Sequence, residues 1–186
     1  MTDYQSLPTG LPAPTDDGAC GHLPGLTLPA VPLLSTRGGT VDLTALPGRV
    51  VAYFYPMTGV PGVPLPDGWD AIPGARGCTP QSCGFRDHAA DLSRLGATVV
   101  GVSTQPAAEQ SEAAARLHLP FPLLSDESLM LTRALRLPTF RAGGRELVRR
   151  LTLVVRTGRV EHVFYPVFPP DAHAAAVVQW LAATGG

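Results

Sequence analysis

Two unbroken apolar runs constrain the fold of this chain more than any other feature. Residues 50–55 read Val-Val-Ala-Tyr-Phe-Tyr, and residues 97–102 read Ala-Thr-Val-Val-Gly-Val. A strand with one face in solvent alternates apolar and polar residues, whereas a strand buried on both faces reads as a continuous run. The two runs therefore predict central strands of a sheet that is covered on both faces. Pro56 ends the first strand because proline has no N–H to donate to a neighbouring strand.

The segments around these runs predict an alternation of strands and helices. A hairpin of 26–34 and 41–43 precedes the first run, with its turn at 35–39, and residues 156–159 form the turn of a second hairpin. From the first run onward the predicted elements are strand 50–55, helix 79–95, strand 97–102, helix 106–117, strand 121–124, helix 127–135, strands 150–155 and 160–164, and helix 170–183. This order predicts an α/β fold with a mixed central sheet and helices on both faces.

The length of 186 residues suffices for one domain with a full hydrophobic core. The first part of the chain is polar and rich in Pro, Gly and Asp, which is typical of a segment without a packed core. We therefore predict a loose N-terminal arm over residues 1–24 and a single domain over residues 25–186.

Charge and composition exclude several functional classes. The formal net charge is −1 and the arginines are scattered, so nothing predicts a nucleic-acid-binding or membrane-binding surface. The N-terminus lacks the basic and apolar regions of a signal peptide, and no apolar run reaches transmembrane length. We expect a cytoplasmic protein, in which three cysteines indicate redox chemistry or metal binding rather than a structural disulfide framework.

A pair of cysteines five positions apart carries the clearest chemical signal. Cys78 follows a strand and a long loop and lies at the start of a predicted helix, with Thr79 as N-cap and Pro80 as the first helical residue. Helix-terminal N–H groups favour a thiolate at such a position. The pair predicts one thiol that is oxidised and a second, Cys83, that resolves it. Taken alone, Cys83 fits equally well as a small buried apolar residue.

With the residues around this pair, the chain resembles peroxiredoxins of the bacterioferritin-comigratory, or Q, type. The resemblance covers roughly residues 24–183, and implies a thioredoxin-like fold and thiol peroxidase activity. The matching residues are Tyr53-Phe54-Tyr55-Pro56, Gly77-Cys78-Thr79, Cys83, Phe85-Arg86-Asp87, the Arg-x-Thr of Arg150 and Thr152, and Gly158.

The resemblance also implies a role for each site residue. Cys78 would be the peroxidatic cysteine and Cys83 the resolving cysteine, so that the two form a disulfide in an atypical two-cysteine enzyme. Arg150 would lie against the active thiol and favour the thiolate, and Pro56 would shield it. Hydrogen peroxide or an organic hydroperoxide would be the substrate, and a thioredoxin-like protein the reductant. No cofactor or metal is implied, and we expect a monomer or a weak homodimer.

The chain departs from the family at the site itself. The family has Thr three residues before the peroxidatic cysteine, where this chain has Ala75, and often Glu three residues after it, where this chain has Gln81. Thr58 is a candidate replacement for the missing hydroxyl. A long Pro- and Gly-rich insertion within residues 57–77 contains Trp69, and we predict that it packs over the Cys78 pocket as a lid that restricts peroxide size.

Helix geometry adds a constraint on the cysteine pair. Positions five apart in an ideal helix have Cα atoms roughly 8–9 Å apart, whereas a disulfide requires less than about 7 Å. The first turn should therefore unwind after oxidation.

Two other functions remain open at this point. A non-catalytic redox sensor is possible if Ala75 has abolished turnover. A thioredoxin-fold copper chaperone would use the cysteine pair with a distant histidine such as His162, although its usual cysteine spacing is shorter. Cys20 and His22 supply only two ligands, so we interpret Cys20 as an incidental thiol. We assign no role to His173.

Overall fold

The computed structural model describes residues 7–185 of the chain. Its strands are β1 (Leu33–Ser35), β2 (Thr40–Val41), β3 (Arg49–Phe54), β4 (Ala97–Ser103), β5 (Leu123–Ser125), β6 (Thr139–Ala142), β7 (Arg145–Val148), β8 (Leu151–Arg156) and β9 (Arg159–Phe164). Its helices are α1 (Cys78–Asp87), α2 (Ala89–Arg94), α3 (Ala107–Arg116), α4 (Met130–Ala134) and α5 (His173–Thr184). No helix in this part of the chain is long and apolar enough to cross a bilayer.

Seven strands form one mixed sheet in the order β2-β1-β5-β4-β3-β8-β9. Strand β4 is parallel to its neighbours β3 and β5, whereas β8 is antiparallel to β3 and to β9. The two apolar runs are the adjacent strands β3 and β4 at the centre, as predicted. Gly101 in β4 lies so close to its neighbours that a Cβ atom there would be 2.7 Å from the Tyr53 ring.

Helices cover both faces of the sheet, which confirms the predicted architecture. The side chains of Val51, Tyr53 and Tyr55 pack with apolar residues of α1, α2 and α5, among them Phe85, Leu92, Val177 and Leu181. The alternate side chains of β3 pack on the other face with α4 and N-terminal segments, through residues such as Leu23, Leu33, Leu131 and Leu135. This alternation follows from the two-residue period of a strand.

The single predicted helix over 79–95 is two helices, and its N-cap was predicted wrongly. The N-cap residue is Gly77, with φ of 102°, so the helix begins at Cys78 and Thr79 already lies inside it. A residue with this positive φ is favoured as glycine, and the sequence rule for polar caps does not detect it. The helix is interrupted at His88, whose backbone has left the helical region (φ −97°, ψ 8°).

Two hairpins also differ from expectation. Strands β6 and β7 form a separate two-stranded sheet that was not predicted, joined by Gly143 and Gly144. The strand predicted over 26–34 is reduced to Leu33–Ser35, preceded by an isolated bridge between Thr27 and Arg159. The prolines at 29 and 32 remove two backbone donors from this segment, which explains why only its end pairs regularly.

The described part of the predicted N-terminal arm is packed rather than loose. Leu23 is fully buried and Cys20 is 5% exposed, and both belong to the core beneath the sheet. The Tyr165 hydroxyl donates to Asp17 at 2.9 Å, and the His22 ring lies 2.9 Å from the Leu135 carbonyl oxygen. Residues 1–6 of the arm lie outside the described residues. The division of the chain at residue 24 stays a prediction.

Candidate active site

Cys78 is the first residue of α1 and is 3% exposed. The loop that follows β3 leads to this point, and Gly77 turns the chain into the helix. The N–H groups of the first helical turn have no partner within the helix and carry the positive end of its dipole. The sulfur therefore lies where a negative charge is favoured.

Arg150, immediately before β8, holds its guanidinium against this sulfur. Its Nη2 atom lies 3.2 Å from Cys78 Sγ. The same atom donates to the carbonyl oxygens of Ala75 and Arg76, each at 3.1 Å, and Nε donates to Gly74 at 3.2 Å. Arg150 is 3% exposed, so its charge acts on the sulfur with little screening by solvent. A charge-assisted hydrogen bond of this kind is stronger to a thiolate than to a thiol.

Gln81, on the first turn of α1, has an unpaired donor beside this pair. It is fully buried, and its Oε1 atom accepts a hydrogen bond from Arg150 Nη1. Its Nε2 atom has no hydrogen-bond partner among the described residues. An unsatisfied buried donor costs about 1–3 kcal/mol, so a polar partner that reached this amide would be favoured. In the sequence, Gln81 stood out only because the family often has glutamate at this position.

Cys83 lies on the same helix and is half-buried, and it is a free thiol like Cys20 and Cys78. Burial raises the pKa of the Cys83 thiol, and the nearby charge of Arg86 opposes this effect. With α1 intact, positions five apart are too distant for a disulfide. The structure thus represents the reduced arrangement of the pair.

Pro56 and Thr58 follow β3 and are both buried. The Pro56 carbonyl oxygen accepts a hydrogen bond from Ser103 at 3.0 Å. The Thr58 hydroxyl donates to Gln105 Oε1 at 3.1 Å, and the Thr58 N–H donates to the same oxygen at 2.8 Å. The Thr58 hydroxyl would have to break its hydrogen bond to Gln105 before it could donate to a ligand at Cys78. Its role as the missing donor stays a prediction.

The long insertion packs against Cys78. A narrow crevice at the sulfur is lined by Met57, Gly59, Leu65, Trp69, Arg76 and Thr79. Trp69 is 3% exposed and packs with Phe140 of β6, at 5.9 Å between ring centroids, and with Leu147 of β7. The unpredicted hairpin β6–β7 therefore supports the insertion, whose apolar content indicated such packing.

His173, at the start of α5, is a site neighbour that sequence reasoning missed. Its Nε2 atom lies 2.9 Å from the Thr152 hydroxyl, and its ring packs edge-on against Phe85 and Phe164. Burial, together with the charge of Arg150, lowers the pKa of His173 to about 3. The ring is therefore neutral at pH 7. Because His173 lies 21 residues from Thr152 in the chain, no local sequence signal reveals this contact.

The remaining histidine and cysteine candidates are dispersed. His162 stacks on Trp180 with a centroid distance of 4.6 Å. Cys20 is buried in the core, and burial together with Asp17 raises the pKa of its thiol to about 12. Within residues 7–185 no three or more His, Cys, Asp or Glu side chains are grouped so as to hold a metal ion.

Comparison with known proteins decides the family. The redoxin family matches residues 23–178. The chain is 32% identical to peroxiredoxin Q, chloroplastic, of Oryza sativa subsp. japonica, over 87% of this chain and 68% of the relative. It is 31% identical to peroxiredoxin Bcp of Escherichia coli K12, over 82% of this chain and 91% of the relative. The chain belongs to the peroxiredoxins of the Q or Bcp type.

The fold of this peroxiredoxin agrees with that membership. The crystal structure of peroxidoxin BcpB from Mycobacterium tuberculosis superposes with a TM-score of 0.70, at 29% identity, over 87% of this chain and 98% of the other. The thioredoxin-like fold implied by the sequence is thereby confirmed. Membership of the family makes the chain a thiol peroxidase.

Proposed function

We propose that this peroxiredoxin reduces hydrogen peroxide or organic hydroperoxides at Cys78. The observation that carries the proposal is the 3.2 Å contact between Arg150 Nη2 and Cys78 Sγ at the start of α1. The thiolate attacks the terminal peroxide oxygen, and the O–O bond breaks. The departing oxygen takes a proton from solvent and leaves as water or an alcohol, while Cys78 becomes a sulfenic acid.

Negative charge develops on the peroxide oxygens during this step. Arg150 and the N–H groups of the first turn are donors that need no reorganisation, as preorganised anion sites require. Ala75 offers no hydroxyl at the position where the family has Thr. We assign this hydrogen-bond donation to the unpaired Gln81 amide, because the Thr58 hydroxyl already donates to Gln105. Pro56, at the end of β3, shields the thiol from bulk solvent.

Cys83 completes the cycle within the same chain. Its thiolate attacks the sulfenic sulfur, which releases water and forms the Cys78–Cys83 disulfide. Burial raises the pKa of the Cys83 thiol while α1 is intact, so little Cys83 thiolate is present before the helix opens. The first turn of α1 must unwind to bring the two sulfurs together.

A thioredoxin-like protein restores both thiols by disulfide exchange in this proposal, and the enzyme works as a monomer or a weak homodimer. These parts rest on the family resemblance. The expected cytoplasmic location stays a prediction, since the rice relative is chloroplastic by name.

Single cysteine variants test the proposal. Cys78→Ser should abolish peroxide consumption, because no second thiol has Arg150 against it. Cys83→Ser should react once and then remain a sulfenic acid or become overoxidised. Cys20→Ser is the control and should keep full turnover, since Cys20 is buried in the core. Mass spectrometry after one equivalent of peroxide should find the loss of two hydrogens in the peptide that contains Cys78 and Cys83.

Turnover separates the proposal from its rivals. Sustained consumption of peroxide with a thioredoxin system identifies an enzyme, whereas a redox sensor stops after one equivalent. Retained turnover in Cys78→Ser, with no reaction in Cys83→Ser, would reverse the two cysteine roles. Stoichiometric copper binding that requires His162 would favour the chaperone.

A further inference from the structure

A second, larger cavity adjoins the Cys78 crevice. It has a volume of about 440 Å³, within the range of about 300–1,000 Å³ that small-molecule sites occupy. The insertion forms most of it, and the β6–β7 hairpin together with Glu109 of α3 forms the rest. Its apolar lining includes Met57, Val60, Val63, Leu65, Pro66 and Ala142.

This cavity and the Cys78 crevice share part of their lining. Met57, Gly59 and Leu65 line both the cavity and the Cys78 crevice. Glycine contributes no side chain to this shared lining, and methionine has a flexible, unbranched side chain that adapts to irregular space. Met57 and Leu65 are thus the side chains whose movement would let one molecule occupy both spaces.

The charges at the rim of the cavity are paired. Arg145 donates to both carboxylate oxygens of Glu109, at 2.7 and 2.8 Å, and Gln105 donates to Glu109 at 2.8 Å. A ligand carboxylate would have to displace Glu109 to reach Arg145, and it would lose hydration on entering apolar surroundings. The lining therefore favours an uncharged organic group.

We propose that this cavity binds the organic group of a bulky, uncharged hydroperoxide while the peroxide group reaches Cys78. The proposal rests on the peroxidase function above and adds a specificity site built by the insertion. The sequence predicted that the insertion would exclude large peroxides, whereas this proposal has the insertion bind them. The loop covers the sulfur, but it also supplies the apolar surface that selects large substrates.

A charge placed in the cavity tests the proposal. Val63→Asp changes a lining residue that is 55% exposed, so folding is expected to persist. The stopped-flow rate of the first oxidation should fall about tenfold or more for cumene hydroperoxide, the range given by the loss of one apolar contact. The rate for hydrogen peroxide should stay unchanged. Leu34→Asp, at a β1 residue with 54% exposure, is the matched control and should alter neither rate.

A second variant and a second substrate pair sharpen the test. Ala142→Leu fills the cavity without adding charge and should also slow only cumene hydroperoxide, whereas Ala182→Leu on the exposed side of α5 should not. The methyl ester of a fatty-acid hydroperoxide should react faster than the free acid.

The two proposals fail in different ways. If the unaltered protein consumes no hydrogen peroxide, the peroxidase function is wrong. If it consumes hydrogen peroxide but Val63→Asp and Ala142→Leu leave the ratio of the two rates unchanged, the subsite is wrong. A slower recycling by thioredoxin with an unaltered first step would identify the cavity as a reductant-docking surface and would also overturn the subsite.

Discussion

At the scale of single residues, the Arg150 guanidinium ties the reactive thiol to the loop that presents it. Hydrogen bonds to the carbonyls of Gly74, Ala75 and Arg76 fix its position, so its charge is in place before the peroxide arrives. Arg150→Met roughly keeps the side-chain length and removes the charge. The rate of the first oxidation of Cys78 by hydrogen peroxide, measured by stopped flow, should then fall about 10²-fold, since a preorganised charge beside the developing anion is lost.

The neighbouring Arg149 supplies a matched control for this rate measurement. It is half-buried, and its backbone N–H donates to the Pro138 carbonyl. Arg149→Met removes the same charge one position away and should leave the rate of Cys78 oxidation unchanged. Equal oxidation rates for both variants and the parent would remove Arg150 from the site.

A Gln81 variant tests whether the Gln81 amide replaces the threonine hydroxyl that the family has at the position of Ala75. Gln81→Glu keeps an acceptor for Arg150 but removes the unpaired amide donor. Loss of one such donor typically slows an anion-stabilised step by about 10²-fold, and we expect a fall of that order in the rate with hydrogen peroxide. Adding Ala75→Thr to this variant should restore much of the rate. An unaltered rate in Gln81→Glu would favour Thr58 instead.

At the scale of elements, the start of α1 is wedged against two other segments. A Cβ atom on Gly77 would clash with Pro170 Cγ and would lie 2.7 Å from Leu7 Cδ2, and φ there is 102°. Gly77→Ala should therefore lower the free energy of unfolding by about 2–4 kcal/mol, from the positive φ and overpacking together. Urea denaturation measures it.

A variant at Gly96 separates the cost of the positive φ from the cost of overpacking. It also has a positive φ, of 72°, but a Cβ atom there would meet nothing within 4 Å. Gly96→Ala should cost only about 1 kcal/mol, the cost of the backbone conformation. Equal losses in both variants would mean that Pro170 and Leu7 move aside at no cost.

The break at His88 shows what hydrophobic spacing cannot detect. Phe85, Ala89, Leu92 and Leu95 fit one helical face, and this spacing predicted one helix over 79–95. A single residue outside the helical region hardly disturbs that periodicity. Strands β6 and β7 were missed for a different reason, because their apolar residues pack against the insertion and not in the main sheet.

At the scale of the whole molecule, His173 links α5, β8 and α1, and this link should be sensitive to acid. Its pKa is about 3 in the folded protein, against about 6.5 when exposed. Below pH 6.5 the unfolded chain binds a proton that the folded chain does not. Stability from this residue is therefore complete above pH 6.5 and falls by about 1.4 kcal/mol per pH unit toward pH 3.

His173→Gln isolates this contribution. The variant should be less stable than the parent at pH 7, because packing against Phe85 and Phe164 is lost, but its stability should fall less steeply between pH 6.5 and 4. Chemical denaturation at several pH values gives both slopes. The exposed His118→Gln should retain the parent slope. Parallel slopes for His173→Gln and the parent would contradict the assignment.

The central strands could be predicted from the sequence because strands buried on both faces need continuous apolar runs, which residues 50–55 and 97–102 supply. The packing of the N-terminal segment could not, since its few apolar residues, such as Leu23, stand among polar ones. The approach of Arg150 to Cys78 followed only from a family pattern, because the two positions are 72 residues apart in the chain. The unpaired amide of Gln81 depends on side-chain packing, for which no local sequence signal exists.

The burial of Cys20 has a practical consequence for following the redox cycle. Cys20 and Cys78 are both almost fully buried, but burial and Asp17 raise the pKa of the Cys20 thiol to about 12, whereas Cys78 has Arg150 at 3.2 Å from its sulfur, so Cys20 reacts far more slowly with an alkylating reagent. In the native protein such a reagent therefore counts only Cys78 and Cys83. Labelling at Cys20 instead records molecules that have opened globally. One alkylation experiment, resolved peptide by peptide, would separate the catalytic redox state from conformational damage in the same sample.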